Sequence, residues 1–484
     1  MKYNVTKVVA EILSKGFHIN PEVTQLLSEF NNEEELKISL NKIIEKKLKL
    51  SDNNKIILKD DIIEYIPKNI EINKNELDIE LKTEYEIIFD PTDEIEKKNK
   101  LSFYTLFQSR YKKLLKLSSN RPGINIENIE NVNTNNNSKH YVSGLIMDKS
   151  VKPKSVYFTI DDLTGTIPLV AINDNTRVIA NEVISDQFVI AKIQPGSKGS
   201  FIAEELYHPD IPDRSSNFSD KKVYAMLLSD LHLGSKTFLT DAISRIINWL
   251  NNSKNDYVAS RIRYIIIAGD GIDGIGVYPG QENDLDILSV NEQYLQLANF
   301  LKQIPNNIEI FLGPGNHDAV RQALPQPKIS KKFANPLYEM DNVNMIGNPC
   351  LIEIHGVKIL VYHGRSLDDI IATIPGLSVS RPALAMKALL KVRHLAPIYG
   401  RRTKLSPENE DFLTIDTVPD IFHAGHLHVL DSERYRGTLL INSGTLQSQT
   451  DFQAKMGIVP NPGIVPIVDL STLELLSKDF KEEN

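Results

Sequence analysis

The sequence predicts an α/β protein in which a layered sandwich of sheets and helices follows a small β-barrel and an N-terminal helical module. Three observations lead to this prediction. Strand patterns alternate with helical patterns from about residue 221 onwards, five short strand patterns crowd residues 139–208, and helical spacing dominates residues 1–66. The chain is 484 residues long, enough for roughly two to four domains.

The composition is that of an ordinary soluble globular protein, with 41% hydrophobic and 24% charged residues. The 55 Lys and Arg against 63 Asp and Glu give a formal net charge of −8, so a nucleic-acid ligand would require a local basic groove. The single cysteine, Cys350, excludes an intramolecular disulfide and indicates a reducing, cytoplasmic location. No window approaches the roughly 18 apolar residues of a membrane span, so we expect neither export nor a membrane anchor.

The N-terminal segment, residues 1–66, is expected to be a helical module. Asn20 and Pro21 have the residue types of a helix N-cap and first turn, and EEELKISLNKIIEKKL places its apolar residues at near-helical spacing. Residues 67–138 are expected to be a linker, because they are polar apart from the amphipathic piece KKNKLSFYTLFQSRYKKLLKL. The asparagine-rich stretch after that piece is expected to be disordered.

The five strand patterns of residues 139–208 predict a small barrel, with an OB-fold as the first candidate. They are YVSGLIM, SVYFTI, GTIPLVAI, DQFVIAKI and GSFIAEEL, separated by turn signals such as DDLTG and PGSKG. A barrel of this kind can stack single-stranded bases on aromatic rings, and Tyr157, Phe158, Phe188 and Phe201 are available. The alternative is that these rings fill the barrel interior.

Residues 221–484 are expected to form the layered sandwich. VYAMLLSD, IRYIIIAGD and IEIFLGPGNHD are predicted strands, separated by the helical patterns TDAISRIINWLNN and LDILSVNEQYLQLANFLKQI. Hairpin-like strand pairs follow, first in CLIEIHGVKILVYHG and later in DIFHAGHLHVLDSERYRGTLLINSG. In such folds ligand sites lie at the ends of strands.

Five segments end a predicted strand with side chains of the types that bind metal ions. They are SDLH, GD, GNHD, YHG and GHLH, and their candidate ligands are Asp230, His232, Asp270, Asn316, His363, His426 and His428. Alternate side chains of an extended chain share a face, so Asp230 and His232 are expected to point the same way, as are His426 and His428. His355 and His423 lack such neighbours and are expected to have structural or supporting roles.

The donors in these segments are oxygen atoms and imidazole nitrogens. This set suits divalent ions such as Mn, Fe, Co or Zn and excludes a thiolate zinc site. Seven candidate ligands are too many for one ion but are appropriate for two ions that share a carboxylate.

The order of these segments resembles the signature of calcineurin-like metallophosphoesterases, which fold as a four-layer sandwich. The resemblance implies that Asp230, His232 and His428 hold one metal ion, that Asn316, His363 and His426 hold the other, and that Asp270 bridges them. It also implies that His317 lies beside the scissile phosphate. Two ions would stabilise the negative charge that develops on the attacking and leaving oxygens, and His317 could protonate the leaving oxygen. Asp318 is a candidate orienter of these groups or, equally, a loop cap.

The segments between the candidate ligands indicate a particular family within this superfamily. GDGIDGIGVYPGQ, GPGNHD, YHGRSLDDII and INSGTLQSQTDFQ, together with FTIDDLTG in the barrel, resemble the small subunits of the archaeal family D replicative DNA polymerases. This implies a 3′–5′ exonuclease that joins a large polymerase subunit and works with DNA and the sliding clamp. The resemblance covers about residue 139 to the C-terminus, and the N-terminal module matches only in position and character.

One basic segment, RPALAMKALLKVRHLAPIYGRRTK, stands out in this acidic chain. Lys391, Arg393, Arg401 and Arg402 are candidate DNA contacts, as is Arg365 directly after His363. The alternative is a solvated helix face or an interface with the partner subunit. Tyr278 and Pro279 are candidate parts of the pocket wall.

The function expected from the sequence is therefore that of a two-metal, proofreading 3′–5′ exonuclease subunit. The first alternative is a scaffold that binds the large subunit, with the ions contributing stability. The second is a phosphomonoesterase of the same superfamily, which the barrel, the linker and the basic segment make less favoured.

Overall fold

The computed structural model describes most of the chain from residue 81 onwards and a few residues before it. The described residues are 18–19, 40, 42–44, 56–57, 81–95, 102–119, 121–132, 139–196, 199–455 and 457–481. The chain divides into two compact units, residues 1–80 and residues 81–484. Among the described residues, no helix is both long enough and apolar enough to span a bilayer.

The first unit contains a short strand pair and part of a helix. Strands β1 (His18–Ile19) and β2 (Ile56–Ile57) pair in parallel. Leu40, Ile43 and Ile44 are helical and buried, which agrees with the apolar spacing of the sequence there. The strand pair was not predicted, and Asn20 and Pro21 lie outside the described residues, so the helical module remains a prediction.

The second unit begins inside the range expected to be a linker. The described elements there are β3 (Tyr85–Phe89), α1 (Thr92–Ile95), α2 (Phe103–Ser118) and β4 (Ile126–Glu127). The linker expectation fails for these residues, because β3 becomes an edge strand of a sheet whose partner strand lies more than 250 residues later. Helix α2 coincides with the amphipathic piece noted in the sequence. Residues 133–138 of the asparagine-rich stretch lie outside the described residues.

The predicted five-stranded barrel is present. Its elements are β5 (His140–Lys152), β6 (Ser155–Asp161), β7 (Thr166–Ala171), α3 (Asp174–Glu182), β8 (Phe188–Pro195) and β9 (Phe201–Tyr207). The strands follow the order β5, β6, β7, β9, β8, and a pairing of β5 with β8 closes the barrel. Phe158, Phe188 and Phe201 are buried, whereas the ring of Tyr157 is 42% exposed. Phe158 and Phe201 belong to the buried cluster inside the barrel, whereas Phe188 packs against Tyr111 of helix α2 on the other face of β8. The interior alternative is therefore right for two of the four aromatic residues.

Two six-stranded sheets make up most of the remaining chain. The strands are β10 (Tyr224–Leu228), β11 (Ile262–Ala268), β12 (Glu309–Gly313), β13 (Val343–Met345), β14 (Cys350–Ile354), β15 (Val357–Val361), β16 (Ile421–Ala424), β17 (Asp431–Tyr435), β18 (Thr438–Asn442), β19 (Ile464–Asp469) and β20 (Glu474–Asp479). The helices are α4 (Thr240–Asn251), α5 (Val290–Leu301), α6 (Lys331–Tyr338), α7 (Leu367–Thr373), α8 (Pro382–Val392) and α9 (Asp451–Lys455).

The two sheets are built differently because their connections differ. The first has the order β13–β12–β11–β10–β19–β20, and its four strands β10 to β13 are parallel because helices connect them. The second has the order β17–β18–β16–β15–β14–β3 and combines the predicted antiparallel hairpins with parallel pairs at β15–β16 and β16–β18. The segment DIFHAGHLHVLDSERYRGTLLINSG is thus a hairpin plus one parallel strand.

Side-chain alternation along the central strands determines which groups share a core. Ala225 and Leu227 of β10 belong to a buried cluster that also contains Ile359 and Ile441 of the second sheet. The intervening Met226 instead shares a cluster with residues of helices α4 and α5. On the far side of the second sheet, its strands share a cluster with residues of α7 and α8. These packed faces hold the ends of both sheets in a fixed relation.

Candidate metal centre

The seven candidate ligands lie just after five strands that end at one place. Asp230 and His232 follow β10, Asp270 follows β11 and Asn316 follows β12, all in the first sheet. From the second sheet, His363 follows β15, and His426 and His428 follow β16. Asn316, at 8% exposed, is among the more accessible, and Asp230 is fully buried. The structure therefore brings together, from both sheets, the residues that the sequence predicted.

The backbone reason for this convergence differs from the alternating-strand prediction. Asp230, His232, Asp270, His426 and His428 all have left-handed backbone angles, with φ of 53°, 53°, 52°, 70° and 59°. The strands end before these residues, so the side chains converge through sharp turns and not through a period of two. A left-handed non-glycine residue costs roughly 1–2 kcal/mol, and such strain characteristically accumulates at functional sites.

The first group of donors contains Asp230, His232 and His428. The Nε2 atoms of the two histidines lie 3.1 Å apart. Asp230 Oδ1 is 3.4 Å from Nε2 of His428 and 3.9 Å from Nε2 of His232. This oxygen is buried and makes no hydrogen bond within the described part of the chain. Three donor atoms thus face one small volume, and together they could hold a cation.

The second group contains Asp270, Asn316 and His363. His363 Nε2 is 3.3 Å from Asp270 Oδ2 and 3.1 Å from Asn316 Oδ1. The ring of His426 lies 5.3 Å from that of His363, centroid to centroid. Because His426 Nε2 is 3.2 Å from Asp368 Oδ2, its Nδ1 is the nitrogen left for an ion. Asp230 also lies within reach of Asp270 and His363, so the two groups are continuous.

The donor set fits divalent ions. The donors are carboxylate, amide and imidazole atoms, and Asp230 Oδ1 is a buried oxygen that accepts no hydrogen bond from the described residues and that a cation would satisfy. The one cysteine of the chain, Cys350, is buried in the core between the sheets, and burial raises the pKa of its thiol well above its ordinary value. It takes no part in the centre.

The charges of the site favour a cation. Burial raises the pKa of Asp230, but His428 and His363 together outweigh it and lower the pKa to about 2. Burial also raises the pKa of Asp270, and the neighbouring His363 brings it well below its ordinary value. For His363, burial lowers the pKa and Asp270 raises it, with a net rise to about 9. Two buried carboxylates therefore stay ionised at neutral pH.

Outer hydrogen bonds fix the rings of the candidate ligands. His232 Nδ1 lies 2.7 Å from Asp273 Oδ1, and His363 Nδ1 lies 2.9 Å from the carbonyl oxygen of Ala268. Gln453 Nε2 contacts His428 Nδ1 at 2.8 Å. The carboxylate of Asp273 and the carbonyl of Ala268 can accept the Nδ1 proton of His232 and His363, which orients these rings and leaves Nε2 for the ion.

Sequence reasoning missed three of these supporting residues: Asp273, Asp368 and Gln453. A weak signal existed for Asp273, since GDGID repeats the carboxylate three residues after Asp270. Asp368 lies within YHGRSLDDII, five residues after His363. Gln453 has no local signal, because its partner His428 lies 25 residues earlier and only the fold brings them together.

His317 lies beside both groups of donors. Its backbone N–H donates to Asp270 Oδ1 at 2.7 Å, and its Nδ1 lies 2.9 Å from the carbonyl oxygen of Asp273. The ring packs edge-on against that of His232, with 4.6 Å between centroids. Nδ1 is thereby engaged within the protein, and Nε2 is the ring atom left for a ligand.

Asp318 braces the loop that carries Asn316 and His317. Its carboxylate accepts hydrogen bonds from the backbone N–H of Gly315 at 2.9 Å and from the hydroxyl of Tyr294 at 3.0 Å. Burial and the charge of Asp270 raise the pKa of Asp318 to about 6. These contacts favour the loop-capping alternative.

The candidate DNA contacts separate into two places. Arg365 lies at the centre, where Nη1 is 3.4 Å from His426 Nε2 and 3.3 Å from Asp368 Oδ2. Arg401 and Arg402 are exposed. Burial raises the pKa of Asp368, His426 lowers it, and the charge of Arg402 adds a smaller lowering effect. The structure thus keeps these three arginines near one another.

Lys391 and Arg393 lie elsewhere. The carbonyl of Lys391 accepts from the N–H of Asp210, just after the barrel. Arg393 is 4% exposed, and its guanidinium donates to the carbonyls of Ile415 and Asp416. The expectation that Arg393 contacts DNA is therefore wrong, because its guanidinium is buried and hydrogen-bonded inside the protein.

The two histidines set aside by sequence reasoning lie outside the donor groups. His355 Nε2 is 3.0 Å from the hydroxyl of Tyr264. His423 Nε2 is 2.6 Å from Ser443 Oγ, and burial lowers the pKa of His423 to about 3, which keeps it neutral. Tyr278 is 41% exposed at the rim of the loop after Asp273.

Comparison with known proteins adds independent information. Residues 225–429 match the family model for the B subunits of the alpha and epsilon DNA polymerases. The DNA polymerase II small subunit of Pyrococcus furiosus is 38% identical over 435 residues, covering 85% of this chain and 70% of the relative. That of Archaeoglobus fulgidus is 41% identical over 370 residues, covering 75% and 74%, and that of Methanothermobacter thermautotrophicus is 39% identical over 385 residues, covering 76% and 78%.

Among solved structures, an archaeal phosphodiesterase aligns with 53% of this chain and 99% of its own. The identity is 16% and the TM-score is 0.28.

Proposed function

This chain belongs to the family of DNA polymerase II small subunits, and from that premise we propose that it is a proofreading subunit with metal-dependent 3′–5′ exonuclease activity. Its substrates would be the single-stranded or mismatched 3′ ends of DNA. The observation that carries the proposal is the buried group of ionised carboxylates and imidazole nitrogens. Asp230 Oδ1, one of these atoms, accepts no hydrogen bond from the described residues.

We assign the candidate ligands to two divalent ions, with Mn foremost and Fe, Zn or Co as alternatives. Asp230, His232 and His428 would hold one ion, Asn316, His363 and His426 the other, and Asp270 would serve both. When bound, the two ions would supply positive charge to the attacking and leaving oxygens of the phosphodiester. Ring N–H groups donate to the carboxylates of Asp273 and Asp368 and to the carbonyl of Ala268, and these hydrogen bonds hold the rings in place beforehand.

His317 is the proposed catalytic residue. In its charged form both ring nitrogens carry protons, and the Asp273 carbonyl accepts the one on Nδ1. The proton on Nε2 is then available to the departing oxygen or to the charge on the phosphate. The brace from Asp318 to Gly315 keeps the loop, and with it His317, in a fixed position.

The proposed architecture follows the expected domain plan. We take the two sheets and their flanking helices, residues 221–484, as the four-layer calcineurin-like phosphoesterase sandwich and the barrel, residues 139–208, as an OB-fold. Arg365, Arg401 and Arg402 are the proposed phosphate contacts near the centre, with Lys391 as a more distant one. If so, affinity for DNA falls as salt rises.

A polymerase small subunit implies a large catalytic subunit as partner. We propose that this chain binds that large partner and DNA, works with the sliding clamp, and acts in the cytoplasm. A purely scaffolding role, without catalysis, is the competing function. It predicts that the chain assembles with the large subunit while leaving DNA ends intact.

The test is a time course on a 5′-labelled single-stranded oligonucleotide with the purified chain and either Mn or EDTA. We expect Mn-dependent shortening from the 3′ end, and its loss in His317→Ala. His140→Ala, on β5 of the barrel, is the matched control and should behave like the wild type. If neither the chain nor its complex with the large subunit shortens the strand, the exonuclease proposal is refuted.

A further inference from the structure

A cleft of about 620 Å³ adjoins the metal centre on the side of His317. His317 forms part of its wall, so the cleft and the proposed reaction centre are continuous. The rest of the wall includes Ile275, Val277, Val320 and Phe333. This volume lies within the roughly 300–1,000 Å³ typical of pockets for small ligands.

The polar side chains of the wall are already engaged. Asp318 is bound by Gly315 and Tyr294. Arg321 pairs with Glu408, with 2.7 Å between Nη2 and Oε1, and Gln322 donates to the carbonyl of Asn316 at 2.7 Å. What these residues leave for a ligand is mainly an apolar surface, together with His317 and Nη1 of Arg321. Such a surface favours a flat, largely apolar group and has little means of reading hydrogen bonds at its edge.

The loop that forms the outer wall is held rigidly while its apolar side chains face out. Gln293, which is buried, accepts from the N–H of Gly274 at 2.8 Å and donates to its carbonyl at 3.1 Å. Gln281 accepts from the N–H of Val277 at 2.9 Å. Ile275 is nevertheless 46% exposed. An aliphatic side chain held in water by a rigid loop is unfavourable, because its apolar surface is not buried. A ligand that covered this surface would bury it and gain free energy.

We propose that this cleft binds the nucleobase of the terminal nucleotide that the enzyme removes. The inference rests on the proposed exonuclease function. Apolar contact with the faces of a base, without contacts to its edge, accepts all four bases, as a proofreading enzyme requires. A base that is still paired cannot leave its partner to enter the cleft without the cost of unpairing, so the cleft selects frayed or mismatched ends.

The first test compares removal of a natural 3′-terminal nucleotide with removal of a 3′-terminal abasic nucleotide. Base stacking on protein side chains contributes on the order of 1 kcal/mol or more, so we expect the wild type to remove the natural nucleotide about fivefold faster or more. Val320→Trp fills the cleft and should remove both nucleotides at the slower rate. Val178→Trp, at a 59% exposed position on the barrel, is the matched control and should keep the preference.

The second test does not depend on exonuclease activity. Hydrolysis of bis(p-nitrophenyl) phosphate in the presence of Mn should be inhibited more strongly by deoxyadenosine monophosphate than by deoxyribose 5-phosphate. Phe333→Ala, which removes one wall instead of filling the cleft, should reduce that difference. If Val320→Trp fails to fold, Phe333→Ala therefore still decides the question.

The outcomes separate the two proposals. Equal removal of natural and abasic ends by the wild type, or equal inhibition by the two monophosphates, overturns the nucleobase cleft and leaves the exonuclease intact. Hydrolysis of the small diester without any action on oligonucleotides refutes the exonuclease function, and the inhibition experiment then still tests the cleft.

Discussion

Arg110 and Asp411 form a buried ion pair, with 2.8 Å between Nε of the guanidinium and Oδ2 of the carboxylate. Arg110 is on helix α2, and its Nη1 also donates to the carbonyl of Pro397 at 2.6 Å. His394 Nε2 contacts the same carboxylate oxygen at 2.9 Å. One side chain from α2 thus fastens that helix to a loop of the sandwich some 300 residues later.

Replacing Arg110 with alanine should destabilise the second unit strongly. Removing the charged partner of a buried carboxylate typically lowers the free energy of unfolding by about 3–5 kcal/mol. Asp411 is almost completely buried, so this loss applies to it. Arg177→Ala removes an exposed pair with Asp174 and should cost at most about 1 kcal/mol. Urea unfolding of both variants checks this, and equal losses would contradict the assignment.

Acid should destabilise the protein well above the pH at which carboxylates titrate. Burial and the nearby charge of Arg110 lower the pKa of His394 to about 4, against the effect of Asp411, which raises it. The unfolded chain, with a histidine pKa near 6.5, binds more protons between pH 6.5 and 4. The free energy of unfolding therefore falls as the pH falls through that window, by up to about 3 kcal/mol.

His394→Gln provides the check on this pH dependence. The variant should be less stable at pH 7 but should lose less stability between pH 6.5 and 4. Urea unfolding at several pH values measures both slopes. Parallel slopes for the variant and the wild type would show that another group is responsible.

Gly274 should be required for cleavage because it lies against His317. A Cβ atom at Gly274 would be 2.2 Å from the carbonyl oxygen of His317, whereas one at Gly276 would meet nothing within 4 Å. Both glycines have left-handed backbones, so Gly276→Ala is a control for the strain alone. We expect Gly274→Ala to lower the cleavage rate on the order of 100-fold by displacing His317.

The glycine prediction is measured as kcat on a single-stranded oligonucleotide with Mn. Gly276→Ala should stay within about threefold of the wild type, with a stability loss of roughly 1 kcal/mol. If both variants lose activity equally, backbone strain and not the contact with His317 is the cause.

Mn should stabilise the folded protein through Asp230. An ion that binds only the native state at 100 times its Kd adds about 2.7 kcal/mol, which raises the thermal midpoint by a few degrees. Asp230→Asn removes the buried charge and should abolish most of that shift, whereas Asp174→Asn at the surface should keep it. Thermal unfolding with Mn and with EDTA measures the effect, and a full shift in Asp230→Asn would remove Asp230 from the ligand set.

The sequence alone determined the strands β10 to β12 and β14 to β18, the barrel and the seven side chains that meet at the centre. These features follow from local patterns: an apolar run predicts a buried strand, and polar donors directly after the run mark its end. Helical and strand periods need only neighbouring residues, so β10, β11, β12 and the β14–β15 hairpin could be located without the fold.

The tertiary structure decided what depends on residues distant in the chain. Asp230 and His232 converge through turns with left-handed backbone angles, not through strand alternation. Gln453 contacts His428, which lies 25 residues earlier in the chain. Strand β3, within the range expected to be a linker, pairs with β14. The guanidinium of Arg393 donates to the carbonyls of Ile415 and Asp416. The physical reason is that burial and hydrogen-bond satisfaction are properties of the whole packed chain, and no local window of sequence contains the partners that satisfy them.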